Sequence, residues 1–252
     1  MGDQLHVTRR GEQGPVVVLV HGTAMPGRMT WAPQKPLADR YQLWIVDRRG
    51  YGQSPPLRRR EDFEADAEDL LDVAPQGAHL VAISYGTIGA LIAAATEPER
   101  FASLTVVECP AFRLAPGDLA ATDTMARLDA LHADTTLDDH SWLERFAVLI
   151  GSPAGFPKPL PSPFDETVTI LRRHRRSWDR DLPLDGIAAA RLPVMVVTSG
   201  EHAAFEAVAD HLTAVLDASR ERIGGHGHLV PLAADRFNAV LDDFLQTAGA
   251  RT

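Results

Sequence analysis

Short runs of aliphatic residues alternate along the chain with stretches whose apolar side chains recur every three to four positions. Val16–Val20 reads VVVLV, and Gln42–Val46, residues 79–83, 104–107 and 193–198 form runs of similar length. Unbroken apolar runs of this size suit strands buried on both faces of a parallel sheet. A shorter and more polar strand is predicted at residues 219–223, and residues 5–9 alternate before Gly11–Pro15, which predicts an edge hairpin leading into Val16–Val20. Between the runs lie helical patterns at residues 31–40, 61–73, 86–94, 203–216 and 233–247. In residues 61–73, Phe63, Ala67, Leu70 and Leu71 form one face and acids the other. Strands alternating with helices at this spacing predict an α/β fold with a mostly parallel, doubly wound sheet.

The alternation breaks at about residue 111 and resumes at about 192. Helical patches at 119–133, 141–150 and 166–178 flank a proline-dense stretch, 152–163, that suits neither helix interior nor central strand. Two regions are therefore expected: a core of residues 1–110 and 192–252, and a helical cap or lid inserted as 111–191. With 252 residues and 45% hydrophobic content the chain can bury one sizeable core.

Charge narrows the partners. A formal net charge of −9 argues against nucleic acid and anionic membrane. The basic runs at 58–60 and 172–176 are short and flanked by acids or aromatics. A single cysteine, Cys109, excludes an internal disulfide and is compatible with a reducing cytoplasm. Residues 1–10 carry no apolar core of a signal peptide, Gly2 lacks the Ser/Thr of a myristoylation site, and no apolar run reaches membrane-spanning length. A cytoplasmic monomer or homodimer, acting on a small molecule without nucleic acid or membrane, is the expectation.

The chemistry centres on residues 77–94, GAHLVAISYGTIGALIAA. A strand pattern ends at Ile83 and a small-residue helix begins at Gly86, with Ser84 between Ala82 and Gly86. A serine on so tight a strand-to-helix turn needs small flanking residues, because neighbouring backbone passes close by. The turn lifts Oγ off the sheet and sets the next N–H at a helix N-terminus. This is a nucleophile elbow, G-x-S-x-G, with alanine in the first glycine slot. Alone, the pattern also fits an ordinary βα turn with a solvent-facing serine.

Four signatures in order, VHGT at 20–23, DRRGYGQS at 47–54, AISYG at 82–86 and GGHGHLVPL at 224–232, make the chain resemble the α/β-hydrolase superfamily. The resemblance covers the whole chain outside the predicted cap. It implies Ser84 as nucleophile, His228 as its base, and the N–H groups of Tyr85 and Thr23 as the oxyanion hole. His226, two residues before His228, is the rival base and reads more simply as a loop histidine. A metal role for the two histidines lacks any Cys/His pair at ligand spacing to complete it. No cofactor is implied.

The acid departs from the usual pattern. Most members orient the histidine with an aspartate after the strand that here is residues 193–198, yet Ala203 stands in that slot. Glu201 is a local substitute. Glu108, at the end of the strand after the elbow helix, is the other. Haloalkane dehalogenases and fungal zearalenone lactonases place their acid on that strand end, and the lactonases pair such a glutamate with Ser and His. Dehalogenases need an aspartate nucleophile, which Ser84 rules out. Glu108 is the favoured acid and Glu201 the alternative.

Asp47 and the arginines after it read as braces for the loops around the elbow. Arg172, Arg173, Arg175 and Arg176, around His174, suit either a solvated helix face or a grip on a substrate carboxylate. Trp142, Phe146, Phe156, Phe164 and Trp178 are candidates for an apolar substrate pocket, some of them being cap core instead. The expected activity is a serine hydrolase that cleaves a carboxylic ester or lactone of a hydrophobic small molecule through a Ser-His-Glu triad and an acyl-enzyme. A thioesterase or C–C bond hydrolase shares that triad. A receptor or cyclase that uses the fold only to bind or fold its ligand is the non-hydrolytic alternative.

Overall fold

The computed structural model describes residues 4–57 and 62–249. The basic run 58–60 and the Gly2 position fall outside them. Strands β1 (Val7–Arg10), β2 (Val16–Val20), β3 (Gln42–Val46), β4 (Ala78–Ile83), β5 (Phe101–Val107), β6 (Val194–Thr198) and β7 (Ser219–Arg222) form one sheet among the described residues, ordered β1-β3-β2-β4-β5-β6-β7. All neighbours run parallel except β1, which lies antiparallel to β3 on the edge. The expected hairpin of β1 with β2 is therefore corrected: Val7 faces Val46 and Arg10 faces Leu43. Gly14 accounts for the route, since a Cβ there would fall 2.0 Å from the Arg40 carbonyl oxygen, so the connection passes hard against the end of the segment before β3.

Alternation along each strand divides the core. Val18 and Val20 of β2 pack on one face with Leu80 of β4 and with Phe63, Leu70 and Ile88 from helices α2 (Phe63–Val73) and α3 (Gly86–Thr96). Val17 and Leu19 pack on the other with Trp31 and with Phe237 and Leu241 from the C-terminal helix, Ala234–Gly249. Each such side chain contributes roughly 1.5–3 kcal/mol through burial.

The short helix predicted at 31–40 is instead a turn of α-helix, α1 (Gly27–Thr30), and a 3-10 segment, Ala32–Asp39. Pro33 and Pro36 remove the N–H groups that an α-helical ladder would need. Between β5 and β6 lie α4 (Leu119–Ala133), α5 (Asp139–Leu149), α6 (Phe164–Leu171) and α7 (Leu184–Ala190). The helix predicted at 166–178 stops at Leu171, because the arginines beyond it reach partners on different elements. Helix α7 packs directly on α3, where a Cβ on Gly186 would come within 2.5 Å of the Ala95 carbonyl oxygen. No helix among the described residues is long and apolar enough to cross a membrane.

Candidate active site

The C-terminal ends of the central strands meet at a crevice, the usual ligand position in an open α/β sheet. Ser84 follows β4 with φ 54, a left-handed conformation that costs a non-glycine residue roughly 1–2 kcal/mol. Close packing enforces it. A Cβ on Gly22 would lie 2.7 Å from the Ser84 Cβ, and one on Gly86 would lie 2.3 Å from the His21 carbonyl oxygen. The Ser84 N–H donates to Val107 O at 2.8 Å, and the Thr87 N–H donates to Ser84 O at 2.9 Å.

His228 stands on the loop after β7. Its Nε2 is 2.8 Å from Ser84 Oγ and its Nδ1 is 3.2 Å from Glu108 Oε2. A carboxylate only accepts, so Nδ1 carries the proton and Nε2 is left to accept from the serine hydroxyl. Glu108 follows β5 at φ 49 and is fully buried, its other oxygen accepting the Ser199 N–H. Both carboxylate oxygens thus have donors, which a buried charge requires. Glu201 lies on the surface and accepts the Gly225 N–H, Ala203 is exposed at the first position of its helix, and His226 is exposed beside them.

Thr23 follows β2, beside β4, and Tyr85 precedes the first residue of α3; both line the space around Ser84. Two cavities meet at the serine. One of about 250 Å³ is walled by Leu143, Phe146, Phe156, Phe164 and Leu229 and includes His228. The other, about 30 Å³, lies among Tyr85, Phe112, His132, His174, Trp178 and Phe205. Of the five predicted pocket aromatics, Phe146, Phe156 and Phe164 line the larger space and Trp178 the smaller. Trp142 is a correction: it is fully buried, stacks on Phe146 at 5.3 Å, and donates Nε1–H to Leu131 O at 3.0 Å. An indole at that helical spacing fills the core behind the wall.

Three arginines of the run are committed elsewhere, Arg172 to Asp139, Arg175 to Asp62 and Glu64, and Arg176 to Asp129, while Arg173 is exposed. Asp47 accepts the Gly27 N–H at 2.9 Å and the Gln53 N–H at 3.1 Å, tying two loops together. Sequence reasoning missed two supports of the histidine. The Phe205 ring lies 4.8 Å from the His228 ring, and Gly151 O accepts the His228 N–H at 2.9 Å. Gly227 permits that bond, since a Cβ there would meet Gly151 O at 2.2 Å, and its place in GGHGH was the available signal.

Residues 17–240 match the alpha/beta hydrolase family. The chain belongs to that family. A pimeloyl-(acyl-carrier protein) methyl ester esterase of Aeromonas salmonicida is 42% identical over 103 residues, which is 40% of this chain and 40% of that protein. The chain thus spans about two fifths of the length of this relative. The protein of the same description from Aliivibrio salmonicida is 31% identical over 190 residues, 68% of this chain and 70% of its own. Among solved structures, an alpha/beta hydrolase from Sphaerobacter thermophilus superposes with a TM-score of 0.72 at 25% identity, covering 96% of both chains.

Proposed function

We propose that this α/β-hydrolase is a serine hydrolase that cleaves carboxylic esters or lactones of hydrophobic small molecules. The observation that carries the reading is the hydrogen-bonded chain Ser84–His228–Glu108, at 2.8 and 3.2 Å, opening on a cavity of about 250 Å³ with aromatic and aliphatic walls. In this reading Ser84 Oγ attacks the carbonyl carbon while His228 Nε2 takes its proton. Glu108 stabilises the imidazolium, and the N–H groups of Tyr85 and Thr23 hold the oxyanion. His228 returns the proton to the leaving alcohol, and water then cleaves the acyl-enzyme by the same relay. Residues 111–191 act as the cap that supplies Phe146, Phe156 and Phe164. The esterase descriptions of the relatives favour an oxygen ester over a thioester or C–C bond.

A fluorophosphonate probe should label the wild-type protein and leave Ser84→Ala unlabelled. A panel of methyl, ethyl and aryl esters, lactones and thioesters then assigns the substrate class. Absence of both labelling and turnover across the panel would overturn the reading.

A further inference from the structure

The carbonyl of Gly22, the residue before Thr23, is held by two buried side chains. Arg48 Nη1 donates to Gly22 O at 2.8 Å, and His21 Nδ1 lies 2.9 Å from the same oxygen. The His21 Nε2 accepts the Arg48 backbone N–H at 2.9 Å, which leaves Nδ1 as the protonated nitrogen and makes it the second donor. Complete burial, reinforced by the Arg48 charge, keeps that imidazole neutral by pushing its pKa well below the usual value.

A trans peptide points its C=O and N–H in opposite directions. The cis bonds among the described residues are Lys158-Pro159 and Ser162-Pro163, so the Gly22–Thr23 peptide is trans. With Gly22 O drawn inward to Arg48 and His21, the Thr23 N–H points outward, toward the space Thr23 shares with Ser84. Hydrogen bonding at the carbonyl also polarises the peptide and strengthens its N–H as a donor. The same guanidinium reaches the other donor residue, its Cζ lying 4.9 Å from the Tyr85 ring centroid. Asp66 fixes the cation from behind, 3.0 Å from Nε and 2.6 Å from Nη2, and Arg48 is 1% exposed.

We infer that Arg48 is a positioning residue for the oxyanion site, setting the direction of the Thr23 N–H through Gly22 O and seating Tyr85 through its ring. The inference rests on the serine-hydrolase reading above. It separates Arg48 from its neighbour Arg49, whose guanidinium forms a two-pronged pair with Asp69 at 2.6 and 2.7 Å.

Two variants test it. Arg48→Lys keeps the charge and loses the planar fork. The pair Arg48→Met with Asp66→Leu removes both charges together, so that no buried carboxylate is stranded. Each is assayed for kcat and KM on an aryl ester that the wild type hydrolyses, and for inhibition by an alkylboronic acid that forms a tetrahedral adduct with the serine. We expect kcat to fall roughly 10–100-fold with KM within about twofold, and the boronic acid to bind more weakly in step. Wild-type kcat and boronic acid affinity in a variant with a lowered Tm would reduce Arg48 to a structural brace and overturn the inference. A raised KM at unchanged kcat would overturn it too, by making Arg48 a substrate-binding group. Failure of the underlying reading looks different: the wild type itself neither turns over ester nor takes up fluorophosphonate.

Discussion

Around Ser84 the backbone is held by contact with other backbone. Gly22 and Gly86 have no room for a Cβ, and Ser84 and Glu108 both sit in left-handed conformations at the ends of neighbouring parallel strands. In residues 111–191 the backbone is held by side chains. Asp118 and Asp138 cap α4 and α5, Glu144 accepts the Gly155 N–H, and Trp142 stacks on Phe146 behind the wall of the larger cavity. The first kind of restraint tolerates almost no change of residue, while the second lets many sequences solve the same packing problem. In the proposed reading the chemistry belongs to the rigid part and the choice of substrate to the permissive one.

The sharpest break of this contrast is at the relay. Ser84→Ala and His228→Ala should each lower kcat by at least about 10⁴-fold, and the double variant should lose little more, because the two groups act as a unit. Melting temperatures close to wild type would show that the losses are chemical. His226→Ala should cost far less, and a reversal of the two histidines would move the base to the loop surface.

Glu108→Gln comes next, at roughly 10³–10⁴-fold in kcat, since an amide in place of the carboxylate can hold the wrong imidazole tautomer. Glu201→Gln should leave kcat within about threefold, because that side chain accepts the Gly225 N–H at the surface. A severe defect confined to Glu201→Gln would transfer the acid to the position after β6.

In the permissive region the order of effects inverts. Trp142→Ala should destabilise by about 3–5 kcal/mol through the cavity it leaves, read by chemical denaturation. Phe164→Ala should cost little stability while shifting KM several-fold between short and long esters. Equal kinetic effects of the two would erase the distinction between core and wall.

The smallest effect expected is a drift of stability with pH. Burial, and the nearby charges of Arg176 and Arg172, push the His132 imidazole down to about 4. Unfolded, it titrates near 6.5, so between these values the unfolded chain binds more protons than the folded one. Stability is therefore complete above about pH 6.5 and declines as pH falls toward 4. His174, buried beside it, shifts the same way through burial and acts in the same direction. Tm measured from pH 7 to 4 should fall in wild type and less steeply in His132→Leu.

What was legible in the sequence follows the same division. The elbow turn and the buried strands could be read because small residues and apolar runs at fixed spacing have few other uses, and Glu108 became a candidate by its place after one of those strands. Helices at 119–133 and 203–216 were placed to the residue, since their apolar period is uninterrupted. The end of the helix at Leu171 was not legible, because it depends on Arg175 finding Asp62 and Glu64 across the fold. The partner of β1 escaped for the same reason, an edge pairing being decided by long-range packing. Arg48 looked like one more loop brace. Its hold on Gly22 O needed the peptide plane to be seen.

The bond from the His228 N–H to Gly151 O joins that histidine to the turn just after α5, and His202 Nε2 reaches Leu149 O, at the end of that helix, at 3.0 Å. His228 is therefore not independent of the segment that walls the larger cavity. A chimera that exchanged residues 111–191 for another family member's insertion would carry over a new wall and also a new anchor for the histidine. A graft that also brings a carbonyl to the position of Gly151 O is expected to hold the histidine as the native segment does.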